Sequence, residues 1–358
     1  MKEKIFKRKF IITAIIALII ALMAFSLAGC KNSSSSDSSQ TSQTTASTKA
    51  EAAESSSETI QSTTAQETTT TTEKQLPVEV IDGAGNKIIL DKPAQKVIVF
   101  SPSDLEIFSG LNAMDKVIEV DSWSVKNNEP LAKGFKGAGD TNGLNFETIT
   151  KLNPDLIIGV TMGGNDDYKK LAELGFKVYL SNTTSLEGAY TEIENIGKII
   201  GKAEEGKKLS DNLKTQVDDI YNKVKDLSED KKPEVFYMVW NDPIMSAGKN
   251  TFINELIEKA GGINIVASNG LTDWPEYSLE KLIKNNPDII IAPFSLAATP
   301  DVILKDKKFS TIKAVLDKKV FSIPDNPISR PNQNVIKGLT MLSTAIHPEI
   351  FGEFKVIE

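Results

Sequence analysis

The sequence contains very few of the side chains that bind transition metals or form covalent links. Its 358 residues include one cysteine, Cys30, and one histidine, His347. A single cysteine excludes an internal disulfide, and without thiolate or imidazole clusters a bare zinc or copper site is not expected. His347 precedes a proline at the end of a predicted helix, far from any predicted strand end, which argues against a Ser-His-Asp triad.

Arginine is almost as scarce. Two of the 41 basic residues are arginines, Arg8 and Arg330. A general bias toward lysine is one explanation for this count. The other is that position 330 requires a planar guanidinium, which binds a carboxylate, phosphate or amide face in a way that lysine cannot. We therefore treat Arg330 as a residue that lines a ligand or organises a cleft.

Sequence signatures of nucleotide binding and catalysis are also missing. GAGDTNG, at 137–143, has the wrong glycine spacing for a dinucleotide loop, and SAGKNT, at 246–251, lacks the upstream glycine of a phosphate loop. No nucleophile or pair of carboxylates stands out beside a predicted strand end. The sequence therefore predicts a protein that is not an enzyme.

The amino terminus has the pattern of a bacterial lipoprotein signal over residues 1–29. Five basic residues at 2–9 precede an apolar run from Phe10 to Phe25 and the sequence Leu-Ala-Gly-Cys ending at Cys30. This predicts lipid attachment at Cys30 and a position on the outer face of the cytoplasmic membrane. An uncleaved membrane anchor is the alternative.

Residues 30–75 are predicted to form a lipidated cysteine followed by a disordered linker, because Ser, Thr, Gln, Ala and Glu make up almost all of this stretch. Residues 1–29 hold five bases and one acid, so the remaining chain carries a formal charge of −11 instead of −7. This acidic balance argues against a nucleic-acid partner.

A repeated segment predicts the architecture. FETITKLNPDLIIG, starting at Phe146, returns as LEKLIKNNPDIIIA, starting at Leu279, with Glu147 matching Glu280. Each copy reads as a short helix, an Asn-Pro break and an Asp before a buried strand. Two such copies, one in each half of the chain, predict two related lobes with a cleft between them.

Predicted strands and helices alternate along both halves, which indicates an α/β fold whose lobes each have a mainly parallel sheet flanked by helices. A hairpin is predicted at 78–90, and a helix at 103–111 with Ser103 as its N-cap. The predicted lobes cover 76–184 and 231–358. An interlobe helical segment at 185–230 includes one long helix from about Ala203 to Ser228 that joins the lobes.

Ligands of parallel sheets bind beyond the carboxyl ends of the strands, so residues that follow predicted strands are candidate contacts. These residues include Ser101, Trp123, Met162 and Trp240, and Trp274 lies just before the second repeat. Tryptophan suits a flat or bulky ligand, although all three could instead belong to the core.

Six motifs occur in order over residues 77–358: VIDGAGNKIIL, VFSPSDLEIFSGL, NFETITKLNPDLIIG, AGKNTFINELIEKAGGINIV, WPEYSLEKLIKNNPDIIIAP and RPNQNVIKGLTMLSTAIHPEIF. In these motifs the chain resembles the substrate-binding lipoproteins of ABC importers for ferric siderophores, haem and cobalamin. The resemblance implies two lobes joined by a helical backbone, and a receptor that delivers a metal chelate to a permease dimer with its ATPase. It also implies that Glu147 and Glu280 dock on permease arginines.

By the same resemblance, Trp123, Trp240, Trp274 and Arg330 are expected to contact the ligand. Haem binders of this family commonly use His with Met as axial ligands, and binders of catecholate siderophores often use several arginines. The residues of this chain therefore fit a corrinoid slightly better than a ferric siderophore, with no separate cofactor. A sensor or adhesion module with the same fold, or a lipid-anchored hydrolase, remains as an alternative.

Overall fold

A computed structural model describes residues 77–161, 166–295 and 300–357. The predicted lipidation site Cys30, the linker and the predicted ligand residue Met162 lie outside the described residues. None of the helices in the described ranges is long and apolar enough to cross a membrane.

The first lobe contains a parallel four-stranded sheet. Its strands are β3 (Val97–Val99), β4 (Val117–Val120), β7 (Leu156–Val160) and β8 (Val178–Ser181), in the spatial order β4-β3-β7-β8. Two antiparallel pairs accompany it: β1 (Val78–Ile81) with β2 (Lys87–Leu90), and β5 (Gly139–Asp140) with β6 (Gly143–Leu144). Its helices are α1 (Pro102–Gly110), α2 (Ser122–Lys126), α3 (Phe146–Leu152) and α4 (Asp166–Glu173).

The second lobe follows two helices, α5 (Leu186–Ile199) and α6 (Ala203–Tyr221). Its strands are β9 (Glu234–Asn241), β10 (Ile244–Ser246), β11 (Ile263–Asn264), β12 (Ile289–Pro293) and β13 (Val320–Ile323). They form a sheet in the order β10-β9-β12-β13, with β11 beside β9, and β10 is the antiparallel strand. The helices are α7 (Phe252–Lys259), α8 (Ile265–Ser268), α9 (Leu279–Asn285), α10 (Pro300–Lys305), α11 (Lys313–Leu316), α12 (Asn326–Ser329), α13 (Val335–Ile346) and α14 (Pro348–Phe351).

This architecture confirms the predicted α/β fold with a mainly parallel sheet in each lobe. The central strands of both sheets are buried on both faces, as in Val97–Val99 and Ile289–Pro293. Helices cover both faces of such a sheet, which is why these strands read as continuous apolar runs.

The two copies of the repeat fold alike. Asn145 accepts a hydrogen bond from the N–H of Thr148 and begins α3, and Ser278 begins α9 in the same way. Both helices end at an asparagine in the left-handed conformation, Asn153 with φ 46° and Asn286 with φ 47°. Asparagine tolerates this conformation better than most residues, which explains why it precedes the proline in each copy.

The aspartate of each repeat connects neighbouring strands. Asp155 Oδ2 accepts from the N–H of Lys96, just before β3, at 3.0 Å. Asp288 Oδ2 accepts from the N–H of Glu234, the first residue of β9, at 2.9 Å. Each aspartate therefore holds the start of its own strand beside the start of the adjacent one.

Two predicted helix boundaries are wrong. The N-cap of α1 is Ser101 instead of Ser103, because Pro102 takes the first helical position, where its missing N–H costs nothing. Helix α6 ends at Tyr221 instead of Ser228, so its 19 residues span about 28 Å. Val224 continues the apolar periodicity because it is buried in the turns after the helix.

A pair of carboxyl groups shares a hydroxyl inside the first lobe. Ser181 Oγ contacts Oδ2 of Asp104 and lies 2.7 Å from Oε1 of Glu192, whose Oε2 accepts from the Tyr179 hydroxyl at 2.8 Å. One hydroxyl hydrogen cannot serve both acids, so the second contact requires a proton on one of them. Burial, and then the charge of Asp104, raises the pKa of Glu192 from 4.5 to about 8. Asp82, also buried, adds negative charge nearby.

We expect Glu192→Gln to remove a pH dependence of stability. Burial raises the pKa of both Asp104 and Glu192, so the folded state keeps a proton on this pair that the unfolded state has lost, and wild-type stability falls as pH rises from about 4.5 through about 8. Glutamine supplies a similar hydrogen without titrating. Urea unfolding should therefore show the variant gaining stability relative to wild type as the pH rises through this window. The exposed Glu353→Gln is the control, and parallel pH profiles for wild type and Glu192→Gln would contradict the expectation.

Candidate functional site

A cleft of about 490 Å³ opens between the two lobes. The first lobe contributes residues of α1 and of the segment 124–131, and the second lobe contributes the residues that follow β12 and β13. The lining residues are Pro102, Leu105, Glu106, Ser124, Glu129, Pro130, Leu131, Phe294, Pro324, Asp325, Asn326, Pro327, Arg330, Asn334, Lys337 and Ile357. This is the strand edge at which parallel sheets bind ligands.

Helix α1 carries Leu105 and Glu106 to the cleft. Its start is determined by Ser101, whose Oγ accepts from the N–H of Asp104 at 3.2 Å. Ser101 is buried, and it is not among the residues that line the cleft. The structure therefore places this predicted ligand residue as a helix cap behind the binding surface.

Arg330 lies at the end of α12 and pairs with two carboxylates of the first lobe. Its Nη1 is 2.6 Å from Oε1 of Glu106, and its Nη2 is 2.8 Å from Oε1 of Glu129. Burial of the guanidinium lowers its pKa, but the hydrogen bonds to Glu129 and Glu106 outweigh this effect, so the pKa of Arg330 is raised. These two ion pairs connect the lobes directly.

Three side-chain amides after Arg330 complete the contact between the lobes. Glu106 Oε2 accepts from Nδ2 of Asn332 at 2.9 Å and from Nδ2 of Asn334 at 2.7 Å. Gln333 Nε2 donates to the backbone carbonyl of Glu106 at 2.7 Å. We call this set the interlobe polar cluster: Glu106, Glu129, Arg330, Asn332, Gln333 and Asn334.

Two glycines make room for the cluster. A Cβ at Gly338 of α13 would lie 2.2 Å from the carbonyl oxygen of Pro327, so glycine lets α12 pack closely on α13 and place Arg330. A Cβ at Gly110, at the end of α1, would lie 2.8 Å from Nε2 of Gln333. Close approach of the backbone is the reason for glycine at both positions.

All three tryptophans are half exposed. The exposed fractions are 48% for Trp123, 47% for Trp240 and 51% for Trp274, which excludes the alternative that they are core residues. Trp123 lies in the first turn of α2, which begins where the Asp121 carboxylate accepts from the N–H of Ser124 at 2.7 Å. Among the described residues that line the 490 Å³ cavity there is no tryptophan, so these side chains lie beyond it.

Trp240 lies inside β9, and the prediction that it follows the strand is wrong. It pairs with Met245 of β10, and its Nε1 donates to the carbonyl of Asp242 at 2.9 Å. The chain around Trp274 runs along the other side of β10, because Met245 bridges to Glu276. The structure thus brings Trp240 and Trp274 into one antiparallel ribbon at the edge of the second lobe.

Glu147 and Glu280 lie in the first turns of α3 and α9, and both are exposed. Within the described residues, neither carboxylate has a hydrogen-bond or ion-pair partner, although Lys151 and Lys284 follow one turn later. Each helix runs back toward the start of its strand, so its first turn lies toward the strand edge that borders the cleft. Both acids are therefore available for contact on that side.

Sequence reasoning missed the partners of Arg330. Glu106 and Glu129 lie 224 and 201 positions away from it. A local signal did exist in the run RPNQN, where three amides follow the arginine. The buried Asn332 needs hydrogen-bond partners of its own.

The groups able to bind metal directly are few. Among the described residues, no set of three or more His, Cys, Asp and Glu side chains is placed to hold an ion. His347 is buried, with Nδ1 2.8 Å from Glu349 Oε1 and Nε2 3.1 Å from the carbonyl of Gly261. Both of its ring nitrogens are therefore engaged within the second lobe.

Known proteins match this chain over most of its length. A family model described as periplasmic binding protein matches residues 97–327. An uncharacterized ABC transporter substrate-binding lipoprotein of Bacillus subtilis (strain 168), YvrC, is 30% identical over 282 residues, which are 77% of this chain and 88% of that protein. A vitamin B12-binding protein of Vibrio campbellii (strain ATCC BAA-1116) is 29% identical, over 69% of this chain and 88% of its own.

A solved structure agrees with these matches. A possible iron-binding, periplasmic solute-binding protein from Staphylococcus epidermidis ATCC 12228 is 30% identical, with a TM-score of 0.61. The match covers 71% of this chain and 99% of that one.

The buried amide of Asn332 gives a test of the interlobe polar cluster. We expect Asn332→Ala to lower the free energy of unfolding by about 2 kcal/mol, because Glu106 and Ser103 each lose a donor in a dry site. Urea unfolding measures this difference. Asn212→Ala, on the exposed face of α6, should change it by less than about 0.5 kcal/mol. Equal stabilities for the two variants would mean that the cluster adds nothing net.

Proposed function

Because this chain belongs to the periplasmic binding protein family, we propose that it is the solute receptor of an ABC importer and that its solute is a metal chelate. The observation that carries the proposal is the cleft at the carboxyl ends of two parallel sheets, which the exposed ring of Phe294 lines. The similar proteins are named as solute-binding or substrate-binding proteins, which supports a receptor over the hydrolase alternative.

A corrinoid is the favoured ligand. Three half-exposed tryptophans offer flat apolar faces for a bulky ring system, and the Vibrio campbellii relative is a vitamin B12-binding protein. A ferric siderophore is the second candidate, since the Staphylococcus epidermidis neighbour is described as possibly iron-binding. Haem fits less well, because His347 is buried and its side chain would have to move to the surface to act as an axial ligand.

The proposed location is the outer face of the cytoplasmic membrane, with lipid on Cys30. The Bacillus subtilis relative is named as a lipoprotein, which supports this assignment. The lipid would keep the lobes near the permease.

We also propose that Glu147 and Glu280 dock on the permease dimer. Their equivalent places in the repeat, their exposure and their lack of partners among the described residues suit a symmetric basic surface. Both lie toward the edge that borders the cleft, so docking would bring the ligand close to the permease. A sensor or adhesion module would instead use a different surface.

The fluorescence of the tryptophans provides a test of ligand binding. We expect tryptophan fluorescence to change when the purified protein is titrated with cobalamin or with ferric siderophores. Trp274→Ala should weaken binding by about tenfold and Trp274→Phe by less, because an aromatic contact contributes about 0.5–1.5 kcal/mol beyond its buried area. A folded protein that responds to no member of either chelate class would contradict the ligand assignment.

Charge reversal tests docking separately from binding. Glu147→Arg with Glu280→Arg should abolish uptake in cells while ligand affinity stays unchanged, because like charges would then meet at the permease. The expected loss of stability is about 1 kcal/mol or less for each site, the value of a first-turn acid in the helix dipole. Glu173→Arg with Glu204→Arg makes the same change of charge elsewhere. Wild-type uptake in the first double variant would show that docking occurs on another surface.

A further inference from the structure

The guanidinium of Arg330 in the cleft already pairs with two carboxylates. A polyanionic chelate would be expected to bind through a guanidinium, because its planar donors match carboxylate and catecholate oxygens. Here both terminal nitrogens of Arg330 are held by Glu106 and Glu129, at 2.6 and 2.8 Å. The three side chains are only 13%, 13% and 17% exposed, so little of this charge pairing is weakened by solvent.

The remaining charges of the cleft do not favour an anion either. Among the described lining residues, the acids are Glu106, Glu129 and Asp325 and the bases are Arg330 and Lys337, a formal sum of −1. Asp325 is held in place by the N–H of Ser295 at 2.8 Å and by its hydroxyl. Lys337 also interacts with a neighbouring group.

We propose that Glu106 and Glu129 neutralise Arg330 so that the cleft rejects polyanionic chelates, and that its ligand is an uncharged or cationic metal chelate. An incoming anion would have to displace Glu106 or Glu129 from a partly buried ion pair. Otherwise it would lie beside both carboxylates with no free guanidinium to bind it. Both routes are unfavourable at low effective dielectric. The inference rests on the proposed function, and narrows its ligand to chelates such as a corrinoid or a ferric trihydroxamate.

The two carboxylates differ in how they can be tested. Glu106 also accepts from Asn332 and Asn334, so its replacement would disturb the contact between the lobes. Among the described residues, the Glu129 carboxylate accepts only from Arg330. In Glu129→Gln the amide oxygen can still accept from Nη2, and the bond from Arg330 to Glu106 is kept. This variant adds one positive charge to the cleft with little change in shape.

The experiment compares the affinities of wild type and two variants for three probes. Wild type, Glu129→Gln and Glu173→Gln are titrated with cobalamin, with an uncharged ferric trihydroxamate and with a polyanionic ferric tricatecholate. The Glu173 variant makes the same change of charge on the exposed end of α4. We expect wild type to bind one of the uncharged probes at least about tenfold more tightly than the tricatecholate, and Glu129→Gln to reduce that ratio by about tenfold. The Glu173 variant should keep the wild-type ratio.

The outcomes separate this inference from the proposed function. If wild type binds the tricatecholate as tightly as an uncharged chelate, the inference is overturned and the receptor function stands. An unchanged ratio in Glu129→Gln, with loss of stability alone, would reduce the carboxylates to a structural contact and also overturn it. If folded wild type binds none of the three probes, the proposed ligand class fails and the inference fails with it.

Discussion

The contact between the two lobes at the cleft depends on the side chain of Glu106. It lies on a helix of the first lobe and accepts from Arg330, Asn332 and Asn334 of the second. Charged hydrogen bonds in a half-buried site are costly to leave unmade, so the lobes are held together at this point as well as through the helices that connect them.

The side chains that hold the two lobes together are therefore different from those left free to contact a ligand. Arginine and amide side chains, which often bind ligands, here bind the opposite lobe. The exposed apolar side chains left for a ligand are Phe294 at the cleft and the three tryptophans beyond it. Such a surface would select a ligand by its shape and apolar area. The charged groups of the cleft would act mainly by disfavouring ligands of the wrong charge.

The repeat gives the two lobes equivalent scaffolds, but the charged residues of the cleft are not equivalent between the lobes. Asp155 and Asp288 make the same strand contact, and Glu147 and Glu280 occupy the same helical turn. Symmetry of this kind suits a partner that is itself a dimer. The charges in the cleft do not follow it, because one lobe supplies two carboxylates and the other supplies the arginine that pairs with them.

Local patterns in the sequence were enough to predict the two lobes, most of their strands and the repeated helix-turn-strand units, but not the short strands β5, β6, β10 and β11. Each depends on neighbours in the chain: an apolar run, a capping side chain, or an asparagine before proline. The same reasoning placed the end of α6 seven residues too late, because a buried turn at Val224 continued the helical spacing. It also placed Trp240 after its strand, since pairing with β10 extends β9.

The composition of the chain pointed to Arg330 as a cleft residue, but only the tertiary structure decided what it binds. Its partners Glu106 and Glu129 lie more than 200 positions earlier in the chain, where no periodicity or spacing connects them to it. They meet because two independently patterned lobes pack together, and contacts of that kind depend on the shape of both surfaces. Local sequence therefore determines each lobe, and the packing of the lobes determines the chemistry between them.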